Sequence, residues 1–204
     1  MSFMPKTAMV LAAGYGTRMR PLTDERPKPL IEVCGKPLID YTLDRFETAG
    51  VKNAIVNVHY LADQIEEHLT ARHTPRVIIS NEREALLETG GGLRHARDHY
   101  DDAPIFCTNP DAILIDKAGS SACKILADNW RDDDMDALLL LCPIENASGY
   151  DGAGDFDRHE DGHITLRSCE TAPLVFTGLQ IISPRLIDRT GRGFFDETSL
   201  GHSS

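Results

Sequence analysis

The chain has 204 residues, 41% of them hydrophobic and 26% charged. That composition supplies a core and excludes a disordered chain. Its 21 Lys and Arg against 32 Asp and Glu leave a net charge of −11, which excludes general nucleic-acid binding, where a basic footprint carries the affinity. No apolar run approaches the roughly 18 residues of a membrane helix. The apolar run at residues 8–13 is too short for a signal-peptide core. Cys34, Cys107, Cys123, Cys142 and Cys169 are scattered and form no C-x-x-C pair. Free thiols in a reducing cytoplasm are expected, rather than disulfides or zinc.

In chain order, residues 8–13 read as a buried strand stopped by Gly14, followed by a polar loop with Pro21, Pro27 and Pro29. Residues 37–49 read as a helix: Pro37 suits a first turn, Leu38, Tyr41, Leu43 and Phe46 are its apolar positions, and Gly50 ends it. A strand at 54–58, a helix at 61–71 and a strand at 76–80 follow. After a loop ending in Gly90-Gly91-Gly92, residues 93–100 read as a helix and 104–107 as a strand. Residues 120–130 read as a helix and 137–142 as a long apolar strand. This alternation predicts a doubly wound, mostly parallel α/β sheet with helices on both faces. Strands at 163–167 and 174–182, among frequent glycines, predict an antiparallel C-terminal addition to that sheet. At about 150 residues per domain, and with no repeat or linker, residues 1–204 are expected to form a single domain. No closing strand or helix is expected over 191–204.

The strongest motif is Leu11-Ala12-Ala13-Gly14-Tyr15-Gly16-Thr17-Arg18-Met19-Arg20-Pro21-Leu22-Thr23, followed by Pro27-Lys28-Pro29-Leu30. A buried strand delivers the chain to the carboxyl edge of a parallel sheet, where open α/β sheets bind ligands. Gly14 and Gly16 let backbone amides approach phosphate oxygens, and Arg18, Arg20 and Lys28 gather cations beside them. In an acidic protein a triphosphate is one account of that clustering, and a Gly-containing surface loop with solvated arginines is the other. A dinucleotide fingerprint wants Gly or Ala where Met19 stands, and the Gly-Lys-Ser/Thr of a Walker A loop is absent. Asp111, following a buried strand, is placed to hold a hard cation, although Asp is also favoured in turns.

The string resembles the signature of the sugar-1-phosphate nucleotidyltransferases. The resemblance continues through Pro37-Leu38-Ile39, Leu87-Glu88-Thr89-Gly90-Gly91-Gly92, Asn109-Pro110-Asp111 and Phe176-Thr177-Gly178. It runs over nearly all of residues 6–182. Within the family it is most like the short bacterial N-acetylmuramate-1-phosphate uridylyltransferases, with the mannose-1-phosphate guanylyltransferase group close behind. The resemblance implies a Rossmann-like fold of the nucleotide-diphospho-sugar transferase type. It implies transfer of a nucleoside monophosphate from a nucleoside triphosphate, UTP by subgroup, to a sugar-1-phosphate, with Mg²⁺ as cofactor and pyrophosphate released. By resemblance Arg18, Lys28 and Asp111 are catalytic, with Asp111 the metal ligand. Ala12, Ala13, Gly14, Gly16, Thr17, Arg18, Lys28, Thr89, Gly90 and Gly91 bind the nucleotide. Asn109, Gly154, Thr177 and Gly178 are on the sugar side.

The sequence departs from the family in three places. Pro110 replaces the usual Gly before Asp111, and no Lys stands in Cys169-Glu170-Thr171-Ala172-Pro173, where many members carry a sugar-phosphate Lys. No Asp-Val-Gly-Thr strand with a second metal carboxylate occurs before Ser204. Asp188, Asp196 and Glu197 lack that context. A C-terminally truncated, weakly active or purely binding form is therefore an alternative expectation. His95 and His99, the acidic run Asp132-Asp133-Asp134-Met135-Asp136, His59 and Cys107 are read as structural or solvated.

Overall fold

The computed structural model describes residues 3–189, and the expectation for 191–204, with Asp196 and Glu197, lies outside them. The strands are β1 (Thr7–Leu11), β2 (Glu32–Val33), β3 (Lys36–Pro37), β4 (Asn53–Val58), β5 (Arg76–Asn81), β6 (Ile105–Thr108), β7 (Ala137–Pro143), β8 (Phe156–Arg158), β9 (Ile164–Leu166) and β10 (Leu174–Ile182). The helices are α1 (Leu38–Thr48), α2 (Ala62–Leu69), α3 (Glu88–His95), α4 (Ala122–Asn129) and α5 (Pro184–Arg189). None is long and apolar enough to cross a membrane.

Strand alternation divides the core between the two faces of one sheet. Ala8, Val10, Ala54, Val56, Val58 and Phe106 meet Ile39, Leu43 and Phe46 of α1, Ile65 and Leu69 of α2, and Cys123 and Leu126 of α4. Met9, Ile55, Ile105 and Cys107 point the other way and meet Leu93 of α3 and Ile187 of α5. The doubly wound arrangement expected from the sequence is therefore present.

The strand order is β5-β4-β1-β6-β10-β8-β9, with β7 also paired to β10. The block β5-β4-β1-β6 is parallel. β10 pairs antiparallel with β6, β7 and β8, so β7 and β8 run the same way as the parallel block. The expected antiparallel addition is therefore inserted inside the sheet, because β10 sits between β6 and β7. From β1 the chain winds outward through β4 and β5, then crosses back to place β6 on the other side of β1. That makes a topological switch point between β1 and β6, the position at which open α/β sheets form a ligand crevice.

Four local expectations are corrected. The first strand ends at Leu11 rather than at 13, because the Ala12 amide donates to Asn57 Oδ1 at 2.6 Å and the chain leaves the ladder. The Gly90-Gly91-Gly92 segment lies inside α3, which runs Glu88–His95 and not 93–100. Glycine disfavours helix by about 1 kcal/mol per residue, yet packing decides here. A Cβ on Gly92 would stand 2.8 Å from Glu82 Oε1, so only glycine lets the helix approach. The polar loop after Gly16 carries two short 3₁₀ turns, Thr17–Met19 and Lys28–Leu30, and leads into the unpredicted β2–β3 hairpin. Finally, the stretch after β10 carries no predicted element but forms α5, which Ile187 docks beside Leu93 and Tyr100.

Candidate nucleotide cleft

Leu11, Ala12, Gly14, Gly16, Thr17, Arg18, Met19, Lys28, Pro29, Asn109, Pro110 and Asp111 enclose a cleft of about 280 Å³ at the carboxyl ends of β1 and β6. The residues expected around a triphosphate are thus joined with those expected at a metal, across a gap of 83 positions in sequence. Lys28 Nζ lies 2.7 Å from Asp111 Oδ2. Their side chains are 24% and 36% exposed, so the pair is partly solvated and able to exchange partners with an incoming charged ligand.

The two glycines act differently. Gly16 takes a left-handed φ of 63°, and a Cβ there would stand 3.0 Å from both Lys28 Cβ and Thr23 Cγ2. Its carbonyl accepts from Thr23 Oγ1 at 2.9 Å, and Thr23 is fully buried. Gly16 therefore sets the loop's shape and the position of Lys28. A Cβ on Gly14 would meet no atom within 4 Å. Its bare backbone faces the open cleft, where a phosphate oxygen could approach.

Sequence reasoning missed Tyr60 and Gln64, which pin this loop from behind, whereas His59 was already read as structural. Tyr60 Oη donates to the Thr23 carbonyl at 2.9 Å, and Gln64 Nε2 donates to the Glu25 carbonyl at 3.0 Å. Tyr15 Oη hydrogen-bonds His59 Nε2 at 2.9 Å, giving His59 a structural role at the edge of the loop. Behind the Asp111 segment, Arg45 of α1 pairs with Asp116 at 2.6 Å and also donates to the Leu114 carbonyl. None of these contacts has a local sequence signature, because each partner comes from a different element.

On the sugar side, β10 bulges between Phe176 and Gln180. Thr177 Oγ1 donates to the Leu140 carbonyl at 2.9 Å. Gly178 takes a φ of 84°, and a Cβ there would lie 3.6 Å from Asn109 Cβ. The bulge therefore brings Gly178 against Asn109 at the cleft wall. Pro110, buried, leaves Asp111 at the opening.

Other expected residues fall elsewhere. Arg20 turns away to Asp24 at 3.3 Å and does not line the cleft. Ala13 is buried just behind it. Thr89, Gly90 and Gly91 lie on α3, outside the lining. Gly154 abuts the Ala172 carbonyl with a φ of 83°. It also donates to Tyr150 Oη at 3.2 Å, so its observed contacts are those of a strand junction. Asp188 pairs with Arg97 at 3.0 Å, away from the cleft lining. His95 Nε2 contacts the Asn81 carbonyl at 3.0 Å. Cys107 is fully buried, and burial pushes its thiol up to about 12, which keeps it protonated and inert.

No group of three or more His, Cys, Asp or Glu side chains among the described residues could by itself hold a metal ion. Asp111 supplies one hard, half-exposed carboxylate beside a cation-rich loop. That donor set fits Mg²⁺, which commonly binds one or two carboxylates and completes its shell with water and substrate phosphates.

The family model described as Nucleotidyl transferase matches residues 7–165. The chain is 47% identical over 191 residues to N-acetylmuramate alpha-1-phosphate uridylyltransferase of Caulobacter vibrioides, covering 91% of this chain and 78% of that protein. It is 37% identical over 193 residues to mannose-1-phosphate guanyltransferase beta-B of Xenopus laevis, covering 89% of this chain and 51% of that protein. The solved inositol-1-phosphate CTP transferase from T. maritima has a TM-score of 0.75 at 16% identity, covering 92% of this chain and 74% of that one; this likeness is one of fold. Together with a Gly-rich loop and a carboxylate facing each other across a switch-point cleft, these matches show that the chain belongs to the nucleotidyl transferase family.

Proposed function

We propose that this nucleotidyltransferase transfers uridylate from UTP to a sugar-1-phosphate, releasing pyrophosphate and forming a nucleotide sugar for cell-wall precursor synthesis. The observation that carries the reading is the 2.7 Å approach of Lys28 to Asp111 across a cleft floored by Gly14 and Gly16. A sugar-phosphate oxygen attacks the α-phosphorus while the bond to pyrophosphate breaks, so no covalent enzyme intermediate is needed. Catalysis is alignment and charge neutralisation. Arg18 and the Gly14–Gly16 backbone hold the triphosphate, and Lys28 turns from Asp111 to the phosphates near the reacting centre. Asp111 would hold Mg²⁺, which would supply positive charge to the phosphate oxygens.

Thr89, Gly90 and Gly91 are proposed for the nucleoside, and Asn109, Thr177 and Gly178 for the sugar; the contact of Gly178 with Asn109 supports the latter grouping. Gly154 is proposed on the sugar side by resemblance alone. The choice of uridine and N-acetylmuramate is supported by the name of the 47%-identical relative. Five free cysteines support residence in a reducing cytoplasm.

Pyrophosphate release tests the proposal, with UTP plus N-acetylmuramate-1-phosphate set against GTP plus mannose-1-phosphate. Release with the first pair in Mg²⁺ is the expected result. Release only with the second changes the base and the sugar. Nucleotide binding without release from either pair would leave a nucleotide-holding module in place of an enzyme.

A further inference from the structure

Asn57 and Glu82 are each 3% exposed, and neither lines the cleft. Asn57 Oδ1 accepts from the Ala12 amide at 2.6 Å, and its Nδ2 donates to Glu82 Oε1 at 2.9 Å. Glu82 Oε2 accepts from the Leu87 amide at 3.3 Å. One chain of hydrogen bonds thus runs from the start of the phosphate loop to the residue preceding α3. A second runs parallel to it, from Tyr15 Oη to His59 and on to the Glu82 carbonyl at 2.7 Å. Gly92 closes the pair from the helix side, where a Cβ would meet Glu82 Oε1 at 2.8 Å and Asn57 Nδ2 at 3.0 Å. A buried carboxylate and amide are costly unless paired. Paired in this way, they admit only one spacing between the elements they join.

We infer that Asn57 and Glu82 are positioning residues for nucleotide binding. They hold the phosphate loop and the first turn of α3 as one frame, so nucleotide affinity depends on two side chains outside the cleft. The inference rests on the nucleotide site proposed above.

Exchanging the two groups tests it. Asn57→Asp alone sets two carboxylates face to face. Glu82→Gln alone leaves a donor against a donor, whichever way the amide turns. The double variant Asn57→Asp/Glu82→Gln restores the chain, because the introduced carboxylate accepts from Ala12 and from the introduced amide, whose oxygen accepts from Leu87. Each single change is expected to weaken UTP binding to the folded protein about tenfold, the effect of one buried hydrogen bond. Calorimetry well below each melting temperature measures it, and the double variant is expected to recover to within about threefold. A purely structural pair would lower the melting temperature and leave the affinity of the folded protein unchanged. That result, or a double variant no better than the worse single one, overturns the inference.

Where the single variants do not fold, hydrogen exchange on the unmodified chain with inorganic tripolyphosphate decides it. Slowing is expected at residues 11–20 and also at 82–92. Slowing confined to 11–20 defeats the positioning role alone, whereas none at 11–20 defeats the nucleotide site beneath it.

Discussion

Gly16→Ala tests whether the phosphate loop is built by steric exclusion. The substitution places a Cβ in a left-handed conformation, φ 63°, which costs an L-residue roughly 1–2 kcal/mol. It also presses that carbon to 3.0 Å from Thr23 Cγ2 and Lys28 Cβ. Thr23 is fully buried and hydrogen-bonded to Gly16 itself, so it cannot yield, and overpacking adds about 1–3 kcal/mol. The total, about 2–5 kcal/mol, corresponds to a fall in melting temperature of roughly 4–20 °C for a chain of this size. Because Lys28 is then the side chain that must move, turnover is expected to fall as well. Gly14→Ala is the internal control. Its Cβ meets no protein atom, so its melting temperature is expected to stay within about 2 °C of the parent, while KM for the triphosphate rises because the methyl occupies the phosphate approach. Thermal melts and pyrophosphate-release kinetics on both variants provide the assay. A Gly16→Ala protein that melts with the parent, or a Gly14→Ala protein destabilised as much as Gly16→Ala, refutes the steric account.

Asp111→Asn is expected to lower kcat by roughly 100-fold or more through loss of the only acidic side chain lining the cleft among the described residues; a Mg²⁺ titration of pyrophosphate release should show a raised midpoint. With a thiol reagent under native conditions, exposed Cys34 and Cys169 are expected to react. Cys107 and Cys123, each pushed up to about 12 by burial, should react only on unfolding. Asp136 is held below its usual 3.8 chiefly by its hydrogen bond from Arg185. Its contribution is therefore present above the unfolded value and lost as pH falls through the lower folded one. Asp136→Asn should accordingly flatten the stability-against-pH curve below about pH 4, and an unchanged acid limb in denaturant titrations would count against that pairing.

Much of the fold was legible because the strands and most helices are written in local periodicity. The apolar positions of residues 37–49 and the continuous apolar runs of β1 and β4 needed no tertiary context. The loop string from Leu11 to Leu30 likewise exposed its chemistry locally, through glycines and cations packed close in sequence. What escaped was decided by partners far along the chain. A propensity reading breaks a helix at three consecutive glycines, whereas Gly92 is helical because Glu82 and Asn57 leave no room for a side chain. A polar stretch such as Thr17–Leu30 reads as loop, although the buried Thr23 and the Tyr60 hydroxyl bonded to its carbonyl order it.

The sequence by itself determined the strand–helix alternation, the glycine-and-cation make-up that nominates the first loop for a polyphosphate, and the candidacy of Asp111, since each depends on residues within a few positions of one another. Only the tertiary structure decided that β10 enters between β6 and β7, that Arg20 leaves the cleft for Asp24, and that Lys28 meets Asp111. Strand order and side-chain encounters across 83 positions are set by the closing of the sheet around its two cores, and no local window contains both partners.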